Sequence, residues 1–262
     1  ILSGVPDVPT TLVVLAHPDR RSFNAAWANA TAQAAEAAGH DLLWSDLYAM
    51  GFDAVEGPRH YRDWPEGLAF DPLKAQEGAA AAANLPPDVQ AEIAKVRRAD
   101  RIIYHFPIWW FSPPAILKGW FDRVFAHGAL HRVDARFDAG LCADKKVLLC
   151  VTTGANEVES GYNGKEGDIQ MLLWPVAYTL RYLGFNVLQH ECVHGVHGYH
   201  EGQAKIDLQR RLQAVLTRQS QMIAQFDQHP CLPFNADSDF DKDGRLRADR
   251  PQHTAFIRHQ ED

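Results

Sequence analysis

Cysteine and methionine are scarce in this chain, with four Cys and three Met among 262 residues. Cys142, Cys150, Cys192 and Cys231 are scattered and form no CxxC pair, so they read as reduced thiols of a cytoplasmic protein. No apolar run approaches the roughly 20 residues of a membrane span, and no integral membrane segment is expected. Positive charge is in deficit: 26 Lys and Arg face 33 Asp and Glu, a formal charge of −7. That argues against a nucleic-acid partner and against adhesion to an anionic membrane. Three ligand motifs are missing as well. No strand-like run is followed by GxGxxG, which excludes a nicotinamide-binding Rossmann domain. In "ESGYNGKEG", Glu159 stands where a P-loop has its first glycine, and Glu166 follows Lys165 where a magnesium-binding hydroxyl is needed. No GxSxG elbow exists for an α/β-hydrolase. The chain begins on Ile1 rather than Met, which leaves open a native start, and a removed leader, upstream.

What is present is an ordinary globular composition, 46% hydrophobic and 23% charged, at a length suited to one large domain or one domain with extensions. "TLVVLA" (11–16) reads as a strand, followed by an alanine-rich helix over 23–38 that Gly39 stops. "DLLW" (41–44) is a second strand. Residues 50–87, rich in Pro, Gly and Ala, read as a long irregular loop, of the kind that is functional or orders on an interface. A helix over 88–98 leads to a third strand, "RIIYHF" (101–106). From Pro114 the apolar residues Ile116, Leu117, Trp120, Phe121, Val124 and Phe125 recur at three- and four-residue spacing, which predicts a helix. That helix is apolar over much of its circumference. One sheet face cannot cover both sides of it, so a second subunit is expected there. "KKVLLCVTT" (145–153) is a fourth strand, 168–183 a helix stopped by Gly184, "FNVLQHECV" (185–193) a fifth strand, and 203–226 one long amphipathic helix. The expected fold is α/β: a doubly wound five-stranded parallel sheet with helices on both faces, spanning residues 1–226, with 227–262 as a C-terminal tail.

Three loops leave the carboxyl ends of strands one, three and four, where open α/β sheets bind ligands. "HPDRRSFN" places His17, Ser22 and Asn24 around a helix N-terminus, where backbone N–H groups and the helix dipole favour a phosphate. "PIWWFSPP" supplies flat aromatic walls, and "TTGANEVESGYNGKEGD" supplies Thr and Gly backbone that can approach a planar ligand closely. A phosphate seat beside aromatic walls suits a flavin nucleotide, which a flavodoxin-like sheet binds at its switch point. The competing reading, that Trp109, Trp110 and Phe111 fill the core, is weaker because core aromatics seldom cluster with prolines outside a regular element.

"LAHPDRRSFN", "SDLYAM", "FPIWWFSPPAILKGWFDRVF", "VTTG" and "GDIQMLLWP" resemble, in the same order, the NAD(P)H:quinone oxidoreductase (DT-diaphorase) family in a bacterial-type form. The resemblance runs over about residues 11–225. It implies a homodimer with active sites between subunits and a two-electron ping-pong cycle that carries hydride from NAD(P)H to a small quinone-like acceptor. The long insertion and "SDLYAM" point to FAD, with FMN the lesser candidate. By position, His17, Ser22, Phe23 and Asn24 are expected to hold the flavin phosphates and ribityl chain. Pro107, Ile108, Trp109, Trp110 and Phe111 are expected to frame the ring, with Thr152, Thr153, Gly154 and Ala155 on its other edge. The resemblance also admits an azo- or nitro-compound reductase, or a regulatory flavoprotein subunit of a membrane transporter of the potassium-efflux ancillary type.

The departures from the family lie around the chemistry. Where the animal enzymes carry a Tyr and a His after Thr-Thr-Gly, this chain has Ser160 and Glu166, with Tyr162 two residues further on than expected. The tyrosines that line the family's quinone pocket correspond to His131 and Val133. Trp110, Phe111, Tyr162, Glu166 and His131 are therefore the candidate catalytic residues, and proton delivery is open between Tyr162, His131, His127 and solvent. Glu166 is expected to turn outward near Lys165. No metal is assigned. Cys192, His194, His197 and His200 are closely spaced, but alternating residues at a strand end point to opposite faces. Asp239, Asp241, Asp243 and Gly244 have EF-hand offsets, but Arg250 stands where the bidentate Glu belongs.

Overall fold

Every residue of β1 (Thr10–Leu15) is buried in the computed structural model, which describes residues 8–260. A strand buried on both faces reads as a continuous apolar run rather than an alternating one. Strands β2 (Asp41–Asp46) and β3 (Arg101–Pro107) flank β1 in parallel, and β4 (Lys146–Thr152) pairs with β3. The sheet runs β2-β1-β3-β4-β5, so the strand order reverses direction between β1 and β3. That switch point opens at the carboxyl ends of those two strands, where the first two candidate loops begin.

The period-2 alternation of the strands sorts the core into two layers. Leu12, Val14, Ile102, Tyr104, Phe106, Val147, Leu149 and Val151 face α3 (Pro87–Arg98), α4 (Ala115–Val124) and α5 (Ile169–Tyr182). Val13, Leu15, Ile103, Leu148 and Cys150 face α1 (Phe23–Ala37), α6 (Gly202–Thr217) and α7 (Gln219–Ala224). The α/β doubly wound, flavodoxin-like arrangement is thus observed, with six strands in place of five.

Three expectations change. The run 185–193 is not one strand: β5 (Asn186–Val187) and β6 (Glu191–Val193) both pair with β4, and the pairing lapses at 189–190, after Leu188 N–H donates to the Val147 carbonyl at 2.8 Å. The C-terminal segment takes that stretch, because Gln189 N–H donates to the Pro230 carbonyl and Leu232 N–H to the Val187 carbonyl. The long helix over 203–226 breaks at Arg218, where the buried Gln219 side chain accepts from Thr31 Oγ1 at 2.9 Å. The stretch 50–87 is not wholly irregular, since it holds α2 (Pro72–Ala81), whose N-cap Asp71 accepts from Lys74 N–H and whose first residue is Pro72.

That insertion also corrects the reasoning about α4. Leu117, Gly119, Trp120, Phe121, Arg123 and Val124 are all buried within one chain. At Gly119 the insertion lies so close that an added Cβ would stand 2.0 Å from the Ala54 carbonyl oxygen. The chain's own insertion covers the far side of this helix, so its apolar girth does not by itself require a second subunit. Beneath it the buried Glu92 carboxylate accepts from Ser45 Oγ at 2.7 Å and Trp120 Nε1 at 2.9 Å, and Lys95 Nζ lies 2.6 Å away. Those bonds satisfy a charge that would otherwise be costly to bury.

The segment 227–260 folds back on the domain and reaches α5. Phe234 and Phe256 sit against Trp174 at 5.5 and 5.7 Å between ring centroids, and Asn235 is buried. Among the described residues no group of three or more His, Cys, Asp and Glu is placed to hold a metal. His197 and His200 stack on each other at 3.9 Å, and Asp241 Oδ1 accepts the N–H groups of Asp243 and Arg245. No helix is long and apolar enough to cross a membrane among the described residues.

Candidate active site

The first loop turns directly into α1. Ser22 is the N-cap, its side chain accepting from Ala25 N–H at 3.1 Å. Ala26 N–H makes the first intrahelical bond, to the Ser22 carbonyl, so the N–H groups of Phe23 and Asn24 precede the ladder and are available at the helix end. The Phe23 ring packs against Trp27 at 5.6 Å, which leaves its backbone as the part that can meet a ligand. His17 is half-buried, and burial lowers its pKa below 6.5. His17 Nδ1 lies 3.0 Å from the Asp19 N–H and 3.1 Å from the Asp19 carbonyl, so Asp19 fixes the orientation of the ring.

Asn24 is buried. Its Oδ1 accepts from Thr152 Oγ1 at 2.9 Å, and its Nδ2 has no protein partner. A buried amide N–H₂ without an acceptor is costly, and a ligand oxygen at the helix end would satisfy it.

The second loop leaves β3 at Pro107. Ile108 N–H donates to the Thr152 carbonyl at 2.7 Å, which fixes the loop to β4. Trp109 and Ser112 then close a tight turn, with Trp109 N–H to Ser112 O at 2.9 Å and Ser112 N–H to Trp109 O at 3.1 Å. Both central residues are left-handed, Trp110 at φ 50° and Phe111 at φ 61°, as a type I′ turn requires. Asn and Gly are the usual occupants of such positions, and bulky aromatics pay a strain of about 1–3 kcal/mol each. The rings stand outward: Trp110 is 93% exposed and Phe111 52%. Trp109 lies edge-on to His17, 5.9 Å between ring centroids, joining the first loop to the second.

The third loop completes the frame. Thr152 and Thr153 are buried, and Thr153 N–H donates to the Val193 carbonyl at 3.1 Å. A Cβ added at Gly154 would meet nothing within 4 Å, so the backbone there has open space beside it. Ala155 is held by Gly195 N–H at 2.8 Å. The Asn24–Thr152, His17–Trp109 and Ile108–Thr152 contacts thus bring the three loops together at the switch point. An unpartnered buried amide, free helix-end N–H groups, exposed flat walls and an open glycine edge fit a flavin nucleotide.

The remaining candidates divide. Phe111 and His131 line a cavity of about 410 Å³ together with Phe121, Phe125, Tyr182 and Gln76. Tyr162 does not join them and stands 87% exposed in the loop after Gly161. Glu166 is held through its N–H to the Glu159 carbonyl at 2.9 Å, and Lys165 pairs with Glu159 at 3.4 Å rather than with Glu166. Ser160 has a role that spacing could not reveal. Its hydroxyl donates to the Asn156 carbonyl at 2.7 Å and lies 2.8 Å from His194 Nδ1. With its proton committed to a carbonyl, Ser160 receives from His194, so the pair staples two loops and is no nucleophile. The Thr152–Asn24 tie and the His127–His131 contact also escaped sequence reasoning, since each joins separate elements or depends on ring orientation.

A parallel sheet in this order, with exposed aromatics at its switch point, defines a protein of flavodoxin-like fold, and the profile of that fold family matches residues 9–217. The chain is 38% identical over 191 residues to NAD(P)H dehydrogenase [quinone] 1 of Cavia porcellus, covering 71% of this chain and 68% of that protein. It is also 38% identical over 183 residues to ribosyldihydronicotinamide dehydrogenase [quinone] of Pongo abelii, covering 68% and 78% respectively. A Klebsiella pneumoniae crystal structure assigned as a quinone reductase superposes with a TM-score of 0.81 at 30% identity, covering 95% of this chain and 99% of that one. The chain belongs to the NAD(P)H:quinone oxidoreductase family of flavodoxin-like enzymes.

Proposed function

We propose that the protein is an FAD-dependent NAD(P)H:quinone oxidoreductase working by two-electron, ping-pong transfer to small quinone-like acceptors. The carrying observation is the strained turn at Trp110 and Phe111, whose rings stand exposed beside the 410 Å³ cavity instead of entering the core. The flavin, when bound, supplies the hydride chemistry. The chain's own residues do the rest. The N–H groups of Phe23 and Asn24 and the Asn24 amide hold phosphate and ribityl oxygens at the helix end. Trp109, Trp110 and Phe111 wall the ring, and the Thr153–Ala155 backbone approaches its polar edge. The functional unit in this reading is a homodimer, in which a second copy closes the open aromatic side and excludes water from the acceptor. NADH and NADPH are both candidate reductants.

The test is anaerobic reduction of the flavin-loaded protein by each nucleotide, followed by an acceptor panel of quinones, azo dyes and nitroaromatics. Bleaching by a nicotinamide nucleotide and re-oxidation fastest with quinones is the expected result. A preference for azo dyes would move the acceptor class while keeping the chemistry. No bleaching by either nucleotide would overturn the oxidoreductase reading.

A further inference from the structure

The cavity beside Phe111 carries one feature that the flavin frame leaves unused. His127, almost fully buried, and His131, half-buried and lining the cavity, meet with His127 Nδ1 3.3 Å from His131 Nε2. The Glu77 carboxylate, on α2, lies 3.6 Å from the opposite nitrogen of His127, Nε2. The turn is braced: Gln76 Oε1 accepts from His127 N–H at 3.0 Å, and Gly128 N–H donates to the His131 carbonyl at 2.9 Å. Tyr182 of α5 stands across from His131 at 5.5 Å between ring centroids, and Lys118 and Asp122 of α4 border the same cavity.

Resting on the quinone-reductase reading, we propose that His131 is the acid that protonates the reduced acceptor, and that His127 and Glu77 are the positioning residues that set its tautomer. A carboxylate beside His127 Nε2 favours the proton on that nitrogen and leaves Nδ1 bare. The bare Nδ1 then accepts from His131 Nε2–H, so His131 Nδ1 is the nitrogen that gains and loses a proton. Hydride from NAD(P)H, two electrons and one proton, converts a quinone to a mono-anion. The His131 N–H bond breaks as an O–H bond forms on the anionic oxygen, giving the quinol and a neutral histidine pair. Solvent returns one proton to the pair. The balance is NAD(P)H, quinone and one proton in, NAD(P)⁺ and quinol out.

Burial and the neighbouring His127 both lower the pKa of His131, while the Phe125 carbonyl beside it opposes the shift. A weakly basic imidazole is a stronger acid when charged, which suits proton donation. Tyr162 and Glu166 offer no comparable arrangement, the first being exposed and the second lining no part of the cavity.

The experiment compares two acceptors on flavin-loaded protein with NAD(P)H in excess: a benzoquinone, which needs a proton, and ferricyanide, which takes electrons alone. For His131→Gln the ratio of quinone to ferricyanide turnover should fall at least tenfold, in line with the loss of a general acid. The decline of quinone kcat as pH rises through the titration of His131 should vanish with it. Glu77→Gln, at an exposed side chain that poses little risk to folding, should shift that inflection and lower the ratio several-fold. Ring NMR of His131 should show the proton on Nε2 at high pH and uptake at Nδ1 as pH falls. A ratio within twofold of wild type in His131→Gln, with the inflection retained, overturns the proposal while leaving the oxidoreductase reading intact. Wild type that reduces neither acceptor overturns both.

Discussion

Thr152 Oγ1 donates to Asn24 Oδ1 at 2.9 Å, tying the last residue of β4 to the first turn of α1. The bond settles which way the Asn24 amide faces: Oδ1 is committed to Thr152, and the unpartnered Nδ2 is left for a ligand at the switch point. Sheet and helix are coupled through one side chain.

Asn24→Ala therefore has two consequences. Folding stability of the flavin-free protein should fall by about 1–2 kcal/mol, because Thr152 loses its buried acceptor. Flavin affinity should fall as well, and more steeply than stability does. Asn24→Asp keeps the Thr152 bond but puts a carboxylate where a phosphate is expected, so it should spare stability better than affinity. Urea titrations of the flavin-free protein, with flavin fluorescence titrations of the same variants, separate the two effects.

At Trp110 the opposite balance holds. A core tryptophan lost to a small residue costs about 3–5 kcal/mol. Trp110 is 93% exposed and left-handed at φ 50°, so Trp110→Gly should keep stability within about 1 kcal/mol of wild type by relieving the strain. Flavin retention or quinone turnover should nonetheless drop, because the wall is gone. A large loss of thermal stability in the flavin-free variant would show that the ring is structural.

His105 predicts an acid sensitivity. It lies fully buried at the centre of the sheet, 5.3 Å from Trp27, with neither ring nitrogen partnered, and burial lowers its pKa to about 3. In the unfolded chain the ring titrates near 6.5. Between those values the unfolded state holds the extra proton. The stabilising effect of the neutral ring is therefore complete above pH 6.5 and is lost as pH falls toward 3, at up to about 1.4 kcal/mol per pH unit. His190, lowered to about 4 by burial, adds in the same direction. His105→Leu should flatten the stability profile between pH 6.5 and 4.5 by close to one proton, read from urea midpoints. An unchanged slope would mean that the ring finds a partner or a proton on folding.

The purified protein should be yellow, and acid or heat should release FAD rather than FMN, as chromatography of the supernatant will decide. Sedimentation at micromolar concentration should give a dimer. A fully active monomer would require the chain alone to shield the acceptor beside Trp110.

The sequence by itself determined the alternation of strands and helices, the absence of the common nucleotide motifs and the three loops at the carboxyl ends of the strands. It could do so because those features are local. A run of β-branched residues, a three-to-four apolar spacing or a proline pair carries its physics within a few residues. The insertion was misread at α2 even though Asp71 and Pro72 carried the start signal, because the alanines after them show no apolar stripe. Tertiary structure decided what depends on distant partners. The C-terminal segment bonds Gln189, where the pairing with β4 lapses, an edge choice no local pattern encodes. The insertion covered α4, undoing the inference that a second subunit must. His131 met His127 and, through it, Glu77 from a helix some fifty residues earlier. Ring orientation and burial set that contact, and a linear spacing specifies neither.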